Sequence, residues 1–170
     1  LFSLIPPAHA AFIPIQANPD SGKVLIDVPA WNQPFLMVAT LENALGSNDI
    51  GLDRAANGNP LLVEFRRVGQ KAFLVQRNTA FVADSSDPDE ARAAKDAFAE
   101  SVLWAGPIQA GTPARVDISA LLLADWVGVA ERLQATEQGS DRLDGERSSV
   151  VPDEARSFPD NSDFTALLTF

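Results

Sequence analysis

No cysteine occurs among the 170 residues, and the one histidine, His9, stands close to the start. The first absence excludes a disulfide framework, a thiolate zinc site and a cysteine nucleophile. The second excludes a catalytic zinc site of two or three histidines built from this chain alone. It also leaves a Ser-His-Asp arrangement dependent on a histidine at the very edge of the chain. The phosphate loop Gly-x4-Gly-Lys-Ser/Thr, the dinucleotide pattern Gly-x-Gly-x-x-Gly and the metalloprotease helix His-Glu-x-x-His are all missing. Bases are few: 13 against 23 acids, a net charge of −10. A phosphate backbone needs a basic surface, so nucleic acid is not an expected partner. No later apolar stretch approaches the ~20 residues needed to span a bilayer.

What is present is a globular composition, 46% hydrophobic and 21% charged, in a length suited to one domain. The acidity is local, concentrated in residues 84–100 and 141–163. These read as two solvated acidic stretches, or as a docking surface for a basic partner. Paired carboxylates suit glycosidase chemistry, but with 23 acids some pairs must fall close by chance, so that signal selects nothing.

Leu1-Phe-Ser-Leu-Ile-Pro-Pro-Ala-His-Ala10 resembles the back half of a secretory signal: an apolar run, a helix-breaking proline pair and a small-x-small cleavage site. Residues 1–10 are therefore expected to be the remnant of a signal peptide. Residues 11–170 form a single domain whose last strand suggests truncation at the C-terminal end.

Along the chain, Phe12 to Gln16 predicts a short strand, with Pro14 marking an edge. It pairs in a hairpin with Lys23 to Val28 across the turn residues Ala17 to Gly22. The continuous apolar run Phe35 to Leu41 predicts a buried central strand. Leu61 to Arg67 and Lys71 to Arg77 alternate with the period of half-buried strands. Gly69 between them suits a type II′ turn, and Asn78 to Ala83 offers a further short strand. Asp87-Pro-Asp-Glu90 is a helix start, with Ala91, Ala94, Phe98 and Val102 on one face. Arg115 to Ile118 predicts a brief strand. A second helix follows, capped by Asp117 or Ser119, with Leu122, Trp126, Val129 or Ala130, and Leu133 on its apolar face; Gly128 weakens it. Residues 136–163 are polar, and Phe164 to Phe170 alternates as a strand. The expected fold is α+β: a mostly antiparallel β-sheet of about six or seven short strands with two packed helices.

Two features invite a functional reading. The long loop 43–60 holds Gly46-Ser-Asn-Asp-Ile-Gly-Leu-Asp-Arg54. Asn48, Asp49 and Asp53 have the oxygen ligands that calcium takes, without EF-hand spacing. The same side chains fold loops through local hydrogen bonds, with Ile50 and Leu52 as anchors and Arg54 paired to Asp49 or Asp53. The loop is thus open to a structural, a partner-contact or a metal-binding role. Among the three tryptophans, Trp104 and Trp126 sit by apolar helical faces, and Trp31, in a polar loop, is the candidate exposed platform.

The chain resembles the N-terminal domain, of unknown function, of large bacterial secreted or periplasmic zinc-dependent metalloproteases. The matching pieces are Phe12-Ile-Pro-Ile15, Gly46 to Arg54, Phe65-Arg-Arg-Val-Gly-Gln-Lys71 and Phe98-Ala-Glu-Ser-Val-Leu-Trp104. They continue in order with Asp117 to Asp125, Gly128 to Leu133, Arg142-Leu-Asp144 with Arg147-Ser148, and Phe158-Pro159 leading to Leu168-Thr-Phe170. Asp141 departs from the aromatic residue expected before Arg142. The resemblance implies a non-catalytic accessory domain whose partner is the downstream metallopeptidase domain of the same polypeptide. Zinc would belong to the parent protein, and this chain would supply no catalytic or metal residue and no cofactor site. Asn48, Asp49, Asp53, Arg54 and Trp31 are its partner-contact candidates. The competing expectation is a free-standing exported module that binds protein or glycan.

Overall fold

A computed structural model of the chain describes residues 11–45, 48–80 and 87–170. The proposed signal remnant lies outside them, as does the part of the Asn78–Ala83 strand from residue 81 onward. In chain order the strands begin with β1 (Ile15–Asn18), β2 (Lys23–Asp27), β3 (Pro34–Met37), β4 (Leu61–Val68) and β5 (Lys71–Gln76). Helix α1 (Pro88–Ala97) leads to β6 (Ser101–Pro107) and β7 (Arg115–Asp117), then to helices α2 (Ser119–Leu122) and α3 (Val129–Ala135). The end of the chain holds β8 (Ser149–Val150), β9 (Arg156–Ser157), β10 (Ser162–Asp163) and β11 (Ala166–Leu167).

The fold is α+β, dominated by antiparallel strands. Among the described residues these make four sheets rather than one: β1-β2-β7, β3-β4-β5-β6, and the two-stranded ribbons β10-β9 and β11-β8. The two larger sheets bury their inner faces in one core. Val24, Ile26 and Val116 come from the first, and Val63, Phe65, Ala72 and Leu74 from the second. Phe35 stacks on Phe65 at 5.6 Å and meets Phe12 edge-on at 6.0 Å. Trp31 and Trp104 pack against the same core.

The expected β4–β5 hairpin is present, closed by a Val68–Lys71 pair with Gly69 at φ 59°, the sign that the first position of a II′ turn requires. The β1–β2 hairpin is present too, but β1 starts at Ile15, one residue after Pro14, whose carbonyl still accepts from Asp27 at 2.9 Å. The run Phe35 to Leu41 is not a central strand. It contributes three of the four residues of β3, which lies at the sheet's edge with Leu36 71% exposed. Proline at position 34 has no N–H to give a second neighbour, and a short apolar run does not by itself tell edge from centre.

Val102 is not on α1 either. The helix stops at Ala97, and Val102 lies exposed on β6. The single helix expected after Asp117 is two. The N-cap position of the first is Ile118, neither of the expected residues; Asp117, one residue earlier, braces the start, its Oδ1 accepting from the Ser119 amide at 3.0 Å and hydroxyl at 2.6 Å. The second starts afresh at Val129 behind Gly128, which sits at φ 78°.

Candidate functional site

The loop between β3 and β4 is tied at its neck by backbone. Leu41 donates to Ala56 at 2.9 Å, Ala55 to Leu41 at 2.8 Å and Gly58 to Ala39 at 2.9 Å, while Thr40 Oγ1 donates to Asn57 Oδ1 at 2.7 Å. Inside the loop, Asn48–Ile50 forms one 3₁₀ turn. Gly51 follows at φ 66°, and Leu45 donates to the Leu52 carbonyl at 2.9 Å. Leu52 is wholly buried and lies outside the main core cluster. A self-packed loop with its ends together is a stable surface feature rather than a slack connection.

Helix α3 and the turn before it hold this loop from the side. The Arg132 guanidinium donates to the Gly51 carbonyl. A Cβ on Gly51 would lie 3.3 Å from that nitrogen, and one on Gly58 would lie 2.5 Å from the Trp126 carbonyl oxygen. The second distance is below any real Cβ contact, so only glycine fits at 58. Trp126 is itself fixed by its indole N–H on the Leu121 carbonyl at 2.8 Å. Asp125 then orients α3: its carboxylate accepts from the amides of Gly128, Val129 and Ala130 at 2.9, 2.8 and 2.9 Å. Those amides are donors that a helix start leaves unpaired.

On this frame Asp49 and Arg54 are exposed and Asp53 is half-buried. The expected pairing of Arg54 with Asp49 or Asp53 is not formed: neither aspartate is among the ion pairs of the described residues. The Asn48 side chain lies outside what is described, although its backbone opens the 3₁₀ turn. Among the described residues no group of three or more His, Cys, Asp or Glu side chains is arranged to hold a metal ion. Trp31 is half-buried against the core and is not the exposed platform expected of it.

The polar cluster that alternation alone does not reveal lies on the outer face of β4. Glu64 is only 4% exposed. It receives Arg66 Nε at 2.5 Å and has Arg77 at 3.8 Å. Arg66 also forks onto Glu100, at 2.5 and 2.9 Å. The Glu100 hydrogen bonds, opposed by burial and then joined by Glu64, hold the Arg66 guanidinium protonated well above its ordinary value. In the sequence, Leu62, Glu64 and Arg66 read simply as the solvent side of a strand. Two opposite charges two residues apart are the signal that they share a face and pair.

A third feature joins pieces far apart in the chain. The Asp144 amide donates to the Thr169 carbonyl at 2.7 Å, and the Thr169 amide to Ser148 Oγ at 3.0 Å. Asp144 accepts Arg147 Nε at 2.6 Å and the amides of Glu146 and Arg147 at 3.0 and 3.1 Å. The Arg147 side chain, with these amides, holds the Asp144 carboxyl below the usual carboxylate range. Arg142, Asp144, Arg147 and Phe170 line an open hollow of about 680 Å³ here.

Searches of curated proteins and of solved structures return no similar protein. A profile described as "Domain of unknown function (DUF5117)" matches residues 55–170. The match therefore takes in β4 onward, including α3 and the Asp144–Thr169 junction, and begins immediately after Arg54. It covers more than half of the chain, which belongs to the DUF5117 family of domains of unknown function.

Proposed function

We propose that the chain is a non-catalytic accessory domain standing before the catalytic region of a zinc-dependent metalloprotease, in a secreted or periplasmic parent, where it folds, shields or docks that region. The observation that carries this reading is the presentation of Asn48 to Arg54. The segment is anchored by Leu52 and clamped through Gly51 by Arg132, so Asp49 and Arg54 reach solvent from a preset backbone. Polar contacts offered on an ordered loop bind with less ordering cost than the same groups on a slack one. The same segment is one of the ordered pieces that carry the sequence resemblance to those proteases. Zinc belongs to the parent's catalytic region in this reading, and this chain contributes contacts rather than chemistry.

The first test is the reading frame beyond Phe170, which should contain His-Glu-x-x-His. A stop codon soon after Phe170 would overturn the proposal and favour a free-standing exported module. The second test is titration calorimetry between the 170-residue chain and the separately produced catalytic region. Arg54→Glu should weaken binding about tenfold by placing a like charge in the contact. Asp49→Ala in the full-length protein should raise basal proteolysis if this carboxylate helps to shield the catalytic zinc.

A further inference from the structure

The neck of the loop between β3 and β4 carries a chemically reactive pair. Asn57-Gly58 is the one Asn-Gly step in the chain; the other seven asparagines precede Pro, Gln, Ala, Asp, Pro, Thr and Ser. A backbone amide can attack the side-chain amide carbon of the asparagine before it, and glycine, with no Cβ, hinders that attack least. Gly58 is fixed by sterics, because a Cβ there would lie 2.5 Å from the Trp126 carbonyl oxygen. The reactive step is therefore built into the place where the loop closes.

The folded neck holds both reacting groups away from the reaction. The Gly58 amide, the nucleophile, donates to the Ala39 carbonyl at 2.9 Å. The Asn57 side-chain carbonyl accepts from Thr40 Oγ1 at 2.7 Å, and a backbone bridge joins Thr40 to Asn57. Asn57 is nevertheless exposed, so water reaches its side chain. Two residues earlier, Ala55 sits at φ 66°, a left-handed conformation disfavoured for any residue with a Cβ. Opening the neck relieves that strain as it frees the Gly58 amide.

We propose that Asn57 is a deamidation site gated by this neck, and that its conversion to isoaspartate releases the loop. When the neck opens, the Gly58 nitrogen bonds to Asn57 Cγ and gives up its proton, the Cγ–Nδ2 bond breaks, and ammonia leaves. Water then opens the succinimide. Cleavage at Cγ gives aspartate in an unchanged backbone. Cleavage at the backbone carbonyl of residue 57 gives isoaspartate, in which the chain runs through Cβ and Cγ. No oxidant or cofactor is needed. Isoaspartate lengthens the backbone by a carbon between the Thr40 bridge and Gly58, and Gly58 has no room against Trp126 to take up the difference. The loop closed by this neck presents Asp49 and Arg54, so its release also weakens docking; that consequence alone rests on the accessory-domain reading above.

The test is incubation of the 170-residue chain at mildly alkaline pH, followed by peptide mapping. Asn57 should convert before any other asparagine, with isoaspartate among the products. Conversion should be at least about tenfold faster in the urea-unfolded chain, because only the open neck reacts. Thr40→Val should speed it about fivefold in the folded chain by removing one hydrogen bond. In the isolated isoaspartate form the Leu45 amide, which donates to the Leu52 carbonyl inside the loop, should exchange about tenfold faster. Asn57→Asp carries the new charge on an unchanged backbone and should keep the slow exchange. An Asn57 that stays intact while other asparagines convert overturns the proposal. So does equal conversion in the folded and unfolded chain, or an isoaspartate form whose Leu45 amide exchanges as slowly as before. These readouts all use the free chain. If they come out as expected while the unmodified chain fails to bind the separately produced catalytic region, the accessory-domain reading falls and the deamidation site stands.

Discussion

The inner and outer faces of the same four strands are built on opposite principles. On β4, Val63 and Phe65 point into the core with Ala72 and Leu74 of β5, and all four are essentially sealed from water. One residue away, Glu64 is nearly as buried but is held by Arg66, which in turn holds Glu100. The inner face is stabilised by removing apolar surface from water, a term that is large and indifferent to partner identity. The outer face is stabilised only while every charge keeps its counter-charge, because a buried unpaired carboxylate is costly. A strand can thus look amphipathic in sequence and still bury both faces.

The comparison is most sharply tested at Phe65 against Arg66. Phe65→Ala removes a ring stacked on Phe35 and should cost about 3–5 kcal/mol in urea unfolding. A loss below about 1 kcal/mol would mean that the inner face is not the main core. Arg66→Ala should cost less, about 2 kcal/mol, because Arg66 is partly exposed and Arg77 can move toward Glu64. The discriminating variant is Glu64→Leu combined with Arg66→Met, which replaces a pair by apolar groups. It should be less destabilised than Arg66→Ala alone. The opposite order would show that the outer face depends on its charges for more than mutual satisfaction.

This asymmetry also marks how far the sequence is legible. The β4–β5 hairpin can be read because alternation and Gly69 agree, and both are local. The second partner of Arg66 cannot: Glu100 is 34 positions away, beyond α1, and only the sheet brings them together. The break between α2 and α3 has the same origin. The apolar spacing of Leu122, Trp126, Val129 and Leu133 fits a continuous helix, and propensity alone charges Gly128 only about 1 kcal/mol. The three amides gathered by Asp125 and the close approach of Gly58 to Trp126 decide otherwise. The ribbons β8–β11 and β9–β10 have two residues per strand, too few for any periodic signal. In the loop, the glycines and Asx residues announce a structured excursion. That Leu52 is its anchor is legible, whereas the clamp from Arg132, 81 positions away, is not.

The smallest effect concerns the outer side of the other sheet, where the charges are near the surface. Burial pushes the Asp117 carboxyl up, but the Ser119 hydroxyl and amide, followed by Lys23 at 3.4 Å, outweigh it and leave it below its ordinary value. A carboxyl lowered by folding adds stability that is fully present above the unfolded value, near pH 4. That stability is lost as pH falls through the lower folded value. Urea midpoints measured from pH 6 down to pH 2 should therefore show a shallower acid decline in Asp117→Asn than in the wild type. Ser119→Ala should flatten the decline more than Lys23→Ala, because Lys23 is largely exposed and an ion pair of that kind contributes roughly 0–1 kcal/mol. If Lys23→Ala proved the larger, long-range charge rather than the local cap would govern this face. The contrast between a buried pair that must be complete and a surface pair that is nearly dispensable would then fail.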